Sequence, residues 1–260
     1  MERISRLALV IVLVVSVVPA FAEDEFQNVP FFYPLVTRRP VIERELELRV
    51  LHDKGRDGRS TEVTGAIEWP LLPRWQVELE VPLVFSSPGD RADAGGIGDL
   101  RLENKFVVWS SIDYSAQLAV GLETRLPTGS ARRGLGGEAA VEPFVTGGIA
   151  LGAFDVLVDA SWEFNVNAHV KGPQDQELAA GAAVAYNRLQ NFAPLLELRT
   201  TTLTRAAADD ELRHRTRVSV IPGFNARLLP RTMLRLGLEL PVTDARRFDY
   251  VLHAGFVWEF

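Results

Sequence analysis

The sequence predicts an all-β protein: a transmembrane up-and-down antiparallel β-barrel of about twelve strands. Three observations point there. Apolar and polar residues alternate with period two over almost the whole chain beyond residue 40. The connections between these segments alternate between short and longer, as the turns and loops of a membrane barrel do. The chain ends on an aromatic residue, Phe260, within an alternating segment.

The first residues have a separate character. Arg3 and Arg6 precede an apolar run from Leu7 to Val18, followed by Pro19-Ala20-Phe21-Ala22. A basic stretch, a short apolar stretch and an Ala-x-Ala site make residues 1–22 a signal peptide cleaved after Ala22. The run is short for a spanning helix, which needs roughly twenty apolar residues. Residues 23–40 begin acidic and become rich in proline and aromatics (Pro30, Phe31, Phe32, Tyr33, Pro34, Pro40). They read as an irregular N-terminal arm, periplasmic or lumenal, ahead of a barrel over residues 41–260.

Strands are expected at 41–51, 60–70, 75–85, 98–109, 114–126, 139–151, 154–166, 177–187, 192–203, 213–227, 231–241 and 248–260. In the third, Trp75, Val77, Leu79, Val81, Leu83 and Phe85 share one face, and Gln76, Glu78 and Glu80 the other. In the eleventh, Thr232, Leu234, Leu236, Leu238 and Leu240 oppose Arg231, Met233, Arg235, Gly237 and Glu239. The last alternates Tyr250, Leu252, Ala254, Phe256, Trp258 and Phe260 against Val251, His253, Gly255, Val257 and Glu259. Short turns are expected near 71–74, 110–113, 152–153, 188–191 and 228–230. Longer external loops are expected at 52–59, 86–97, 127–138, 167–176, 204–212 and 242–247.

The apolar face carries the tryptophans, and Trp69, Trp75, Trp109 and Trp258 fall near the predicted periplasmic ends, as an interfacial girdle does. The other face is dense in both signs of charge and must line the lumen. Glu78, Glu80, Arg101, Glu103, Lys105, Glu123, Arg125, Arg199, Arg217 and Arg235 are the residues expected at a constriction, setting local field and solute orientation. A salt-bridge network that only stabilises a closed lumen is the competing role for the same residues. His253, Gly255, Trp258 and Phe260 form a terminal aromatic pattern similar to the sorting signal of the outer-membrane barrel-assembly machinery, which works by strand addition to a sheet edge.

Other chemistry finds little support. With 28 Lys+Arg against 34 Asp+Glu the chain is acidic, net −6, which argues against a nucleic-acid partner. There is no cysteine, so an exported chain is held by its sheet and by the bilayer rather than by disulfides. Gly95-Gly96-Ile97-Gly98-Asp99 lacks the Lys-Ser/Thr of a phosphate loop and opens a strand. His52, His169, His214 and His253 have no metal-ligand spacing. His214 and Ser219 are five apart, on opposite faces of a strand, and His253 has no evident serine partner. No catalytic residue, metal or cofactor is expected.

The block Glu68-Trp69-Pro70, Gly96-Ile97-Gly98-Asp99-Leu100, Leu126-Pro127-Thr128-Gly129-Ser130 and Gly134-Leu135-Gly136, with Glu142-Pro143, resembles an outer-membrane β-barrel family. That family is named for the MetA pathway of phenol degradation, and its members are often labelled simply "transporter". The resemblance covers roughly residues 40–260, and its motifs are structural. It implies passage of small, hydrophobic or aromatic, compounds across the Gram-negative outer membrane, and no catalytic residues. The expected function is therefore a porin-like channel or transporter. A lipid-modifying enzyme of the outer membrane and a structural barrel with a closed lumen are the alternatives. Expected partners are outer-membrane lipid, a small-molecule solute and, during biogenesis, signal peptidase and the barrel-assembly machinery.

Overall fold

The computed structural model describes residues 27–55, 58–89, 92–166, 175–206 and 211–260. The signal peptide and its cleavage site, the start of the arm and His169 lie outside the described residues. The strands are β1 (Glu45–Gly55), β2 (Gly58–Leu72), β3 (Trp75–Pro88), β4 (Ala94–Ile97), β5 (Leu100–Ser111), β6 (Ala116–Leu126), β7 (Ala140–Leu151), β8 (Phe154–Asn165), β9 (Gln176–Tyr186), β10 (Phe192–Arg205), β11 (Thr216–Leu229), β12 (Thr232–Pro241) and β13 (Tyr250–Glu259).

Sequence neighbours pair antiparallel throughout, and the ring closes where β1 meets β13, from Glu45↔Glu259 to Lys54↔Tyr250. β4 and β5 are two pieces of one barrel strand. Both pair with β3, and the register steps by one residue between Glu80↔Arg101 and Leu83↔Ile97. The result is a closed antiparallel barrel of twelve strands. Closure leaves no open sheet edge, as a lipid-embedded sheet requires.

The observed strands depart from the expected ones in several places. Residues 41–44 belong to the arm, and β1 begins at Glu45. Residues 52–55 and 58–59 of the expected loop 52–59 are instead paired, with His52↔Thr61 and Lys54↔Arg59 continuing the ladder. The loop at 86–97 likewise shrinks, because β3 runs to Pro88 and β4 starts at Ala94. These residues are polar because they stand beyond the apolar belt; their backbone pairing continues there. His214 lies before β11 with φ 59, outside any strand.

One side of the wall is apolar and unpacked by protein: Leu48, Leu79, Phe85 and Trp109 are 49%, 41%, 53% and 48% exposed. Several of its aromatics pair at the short-turn end, with Trp75 stacked on Phe106 at 5.3 Å, Phe154 near Tyr186 at 5.3 Å and Trp69 near Phe260 at 5.9 Å, and Trp162 pairs with Phe164 at 4.7 Å toward the other end. This is the outward face of a membrane barrel with an interfacial girdle. The alternate residues, Glu45, Glu47, Glu78, Glu80, Glu197 and Arg235 among them, are buried inside.

Candidate functional site

The lumen holds a finger of the chain itself. Residues 27–44 enter at the short-turn end, bend at 35–37 and return to the same end. The base of the finger is tied by Asn28, whose side chain donates to the Ile42 carbonyl at 2.5 Å and accepts from its N–H at 3.1 Å. Gln117 in β6 receives the Val29 N–H at 2.9 Å and donates to the Pro40 carbonyl at 2.5 Å, gripping both legs. Pro34 and Pro40 lack an N–H, which suits a segment that joins no ladder.

One flank of the finger is apolar. Val29, Phe31, Phe32 and Val41 pack on Leu157, Ala183, Ala185 and Leu195 of β8, β9 and β10. Burial of each phenylalanine contributes about 1.5–3 kcal/mol. A β-carbon at Gly148 would sit 2.7 Å from the Phe31 ring, so the wall is bare there to let the ring in. The bend is held by charge. Consecutive N–H groups of Leu35, Val36 and Thr37 converge on the Glu197 carboxylate, with Val36 at 3.2 Å and Thr37 at 2.8 Å. Asn225 and Tyr33 exchange two hydrogen bonds, 2.9 and 2.8 Å, and Arg235 donates to the Pro34 carbonyl at 2.5 Å.

The other flank is ionic. Arg38 spreads its guanidinium over three strands: Nε to Glu103 at 3.3 Å, Nη2 to Glu123 at 2.9 Å and Nη1 to Glu142 at 3.1 Å. The Phe144 ring lies 4.5 Å from its Cζ. Burial opposes the charge on Arg38, and these carboxylates outweigh it, holding the guanidinium above its ordinary range. Arg39 pairs with Glu43 and with Glu45 at 3.3 Å and stacks on Tyr33 at 3.7 Å. Burial pushes the Tyr33 phenol well above its usual value, against the pull of Arg39.

A cavity of about 260 Å³ lies between the finger and the wall. Eight carboxylates and seven cations line it, and two of those cations, Arg38 and Arg39, come from the finger. Of the residues expected at a constriction, Glu78, Glu80, Arg101, Glu103, Lys105, Glu123, Arg199 and Arg235 line this cavity. Arg125 and Arg217 do not. They pair with Glu163 and, at 2.5 Å, Glu177, away from the cavity. Of the terminal pattern, His253 and Gly255 are on the lumen face, and Trp258 and Phe260 on the outer face, 46% and 37% exposed.

Sequence reasoning did not place Arg38, Arg39 or Glu142 at the site. Arg38 and Arg39 carry no periodic signal, and Glu142 shares its face with Phe144, Thr146 and Gly148, which hides it among uncharged residues. Glu45, Glu47 and Glu68 come within 4.8 Å of one another, as a metal site would need. The protein's own cations already serve them: Arg39 at Glu45, Arg235 at Glu47 and Lys105, 3.7 Å from Glu68. Ser219, Glu239 and His253 also meet, with the carboxylate in the middle: Ser219 donates to it at 2.5 Å and His253 Nε2 lies 3.0 Å away. A hydrolytic triad needs the histidine in the middle, so this order leaves the serine without a base.

The Gly-Asp and Leu-Pro-Thr-Gly motifs prove to be one unit. Asp99 sits at the break between β4 and β5 and accepts N–H bonds from Gly129 at 2.8 Å, Gly137 at 2.8 Å and Glu138 at 3.0 Å. Thr128 donates to the Gly98 carbonyl at 2.9 Å and accepts from Leu100 N–H at 2.9 Å. The motifs thus pin the connection between β6 and β7 against the β4–β5 break.

A closed ring that is apolar outside, charged inside and filled in part by its own N-terminal arm defines a barrel of the outer-membrane type. Solved structures agree on the fold. The chain is similar to a COG4313 outer membrane channel from Pseudomonas putida F1, with 15% identity over 88% of this chain and 100% of that one, at a TM-score of 0.67. It is similar to the NanC porin, with 10% identity over 83% of this chain and 100% of that one, TM-score 0.61. It also resembles the KdgM porin, with 10% identity over 83% and 99% of the two chains, TM-score 0.54. No protein-family model matches the chain, and no curated protein matches it in sequence.

Proposed function

We propose that the chain is an outer-membrane channel or transporter for small compounds, with its short-turn end in the periplasm and its N-terminal finger closing the lumen from that side. The carrying observation is the charged cavity inside the ring, next to a finger that occupies the lumen without joining the wall. Eight strands leave a lumen nearly filled by side chains and sixteen leave an open pore; twelve leave room for a finger or for a solute. The fold shared with channels and porins supports the reading. The Gly-x-Gly-Asp and Leu-Pro-Thr-Gly motifs support it through their resemblance to the MetA-pathway family, which extends it to hydrophobic or aromatic compounds. A flat ring with a cationic group suits both that resemblance and the lumen, where Tyr33 of the finger and Phe144 of the wall each already lie against a guanidinium.

Planar-bilayer recording tests this. With the finger present the refolded barrel is expected to give small or rare steps, altered by Glu103→Ala. Deletion of residues 27–42 leaves eight carboxylates against five cations around the cavity, so larger, cation-preferring steps are expected. A folded, finger-less barrel that passes no ions would overturn the channel reading and favour a closed, structural barrel.

A further inference from the structure

Arg38 does more than fasten the finger. Its three guanidinium nitrogens each meet a different carboxylate, at 3.3, 2.9 and 3.1 Å, and its Cζ lies over the Phe144 ring, 4.5 Å from the centroid. A tripod of acceptors around an aromatic face fits a planar, delocalised cation with divergent N–H groups; a compact ammonium would satisfy one arm of it at a time.

Two further observations make this a site rather than an acidic cluster. Among the described residues, no cation other than Arg38 lies within 4.0 Å of Glu103, Glu123 or Glu142. Asp159, beside the tripod at 4.0 Å from Arg38, is buried and has an Oδ1 with no hydrogen-bond partner, while its Oδ2 holds Arg199 at 3.0 Å. The adjoining cavity of about 260 Å³ gives space for several waters, each needing about 30 Å³ in the liquid. Removal of Arg38 would take from three partly buried carboxylates the one cation that contacts them, leaving Lys105, Arg101 and Arg199 of the same cavity to act at longer range, so a small cation or water is drawn into the vacated place.

We propose that the Glu103–Glu123–Glu142 tripod under Phe144 is a binding site for small guanidinium or amidinium solutes, which Arg38 fills as a tethered stand-in. A solute in the cavity competes with Arg38 for the same carboxylates, so its binding and the release of the finger are coupled. That such solutes are also the cargo rests on the channel reading; that they bind here does not.

The test is chemical rescue on the full mature barrel with Arg38→Ala, using methylguanidinium at about 10 mM, well below denaturing concentrations. Calorimetry is expected to show one saturable site in the variant and at least tenfold weaker binding in the wild type. The variant's thermal midpoint should rise on addition and the wild type's should not. Glu123→Gln added to Arg38→Ala should abolish the binding, and methylammonium should not substitute. Arg38→Gln serves as the vacated site if the alanine variant does not fold. Equal binding to wild type and variant, or equal rescue by methylammonium, overturns the proposal, as does a folded variant that binds nothing. Binding with a silent finger-less barrel leaves the site standing and removes the channel; conductance without binding removes the site alone.

Discussion

Asp99 grips the backbone N–H of Gly137 with both carboxylate oxygens, at 2.8 and 2.9 Å, and thereby fixes a surface connection to a break in the barrel wall. Hydrogen bonds to a charged acceptor contribute about 1.5–3 kcal/mol each, and here several converge on one side chain. Asp99→Ala should therefore free the connection between β6 and β7 and leave the ring intact. Tryptic cleavage at the exposed Arg132 and Arg133 is expected to quicken by about tenfold or more, the equivalent of about 1.4 kcal/mol of easier opening. Unchanged cleavage, with circular dichroism also unchanged, would show that the carboxylate is not what holds the loop.

Glu197 is expected to control the finger. Its carboxylate collects the N–H groups of the bend, and Glu197→Gln removes the charge from those bonds. The chain has no native cysteine, so a single Val36→Cys reports exposure of the bend cleanly. Maleimide labelling of Cys at this position should speed up roughly ten- to a hundredfold in the Glu197→Gln background, as a loss of about 1.5–3 kcal/mol predicts.

Gly237 gives a steric counterpart. A β-carbon there would lie 2.1 Å from the Leu35 Cδ1, so Gly237→Ala evicts the Leu35 side chain. Conductance should rise in Gly237→Ala and fall back when Leu35→Ala is added, since the smaller residue no longer meets the new methyl group. The double-mutant cycle measures this coupling directly; additive effects would place the cause in the wall.

Phe260 lies at the seam. Its N–H donates to the Arg44 carbonyl at 3.2 Å, and its ring is 5.5 Å from Trp258 and 5.9 Å from Trp69. Phe260→Ala is expected to lower the yield of heat-modifiable barrel in cell envelopes several-fold, while purified chain still refolds in detergent. A loss of the same size in both settings would assign the residue to stability rather than to assembly.

The wall was legible because each strand has two different solvents. Leu79 and Val81 face outward and Glu78 and Glu80 inward, and the alternation slips only locally, as at the bulge where Val108 and Trp109 both face out. The paired extension at His52–Lys54 was missed because it stands past the apolar belt, where hydropathy no longer reports on pairing. The N-terminal arm could be read as irregular chain, periplasmic or lumenal, but the contacts of the finger could not, for another reason. Its contacts join residues far apart in sequence, such as Arg38 with Glu103 and Arg235 with Pro34, and its prolines break any local period. Glu103 of β5 and Glu123 of β6 could be read from strand register as cavity-lining acids; the arginine they serve, Arg38, could not.

The finger leaves the ring by the mouth through which it came in. Extraction therefore requires no threading and no strand to melt. Tension on the chain near Gln27, directed out of that mouth, would break the Ser110–Gln27 hydrogen bond first, then the Asn28–Ile42 clasp and then the rest in sequence, one small rupture after another. Such a geometry yields to a gentle pull from one side and resists a push from the other.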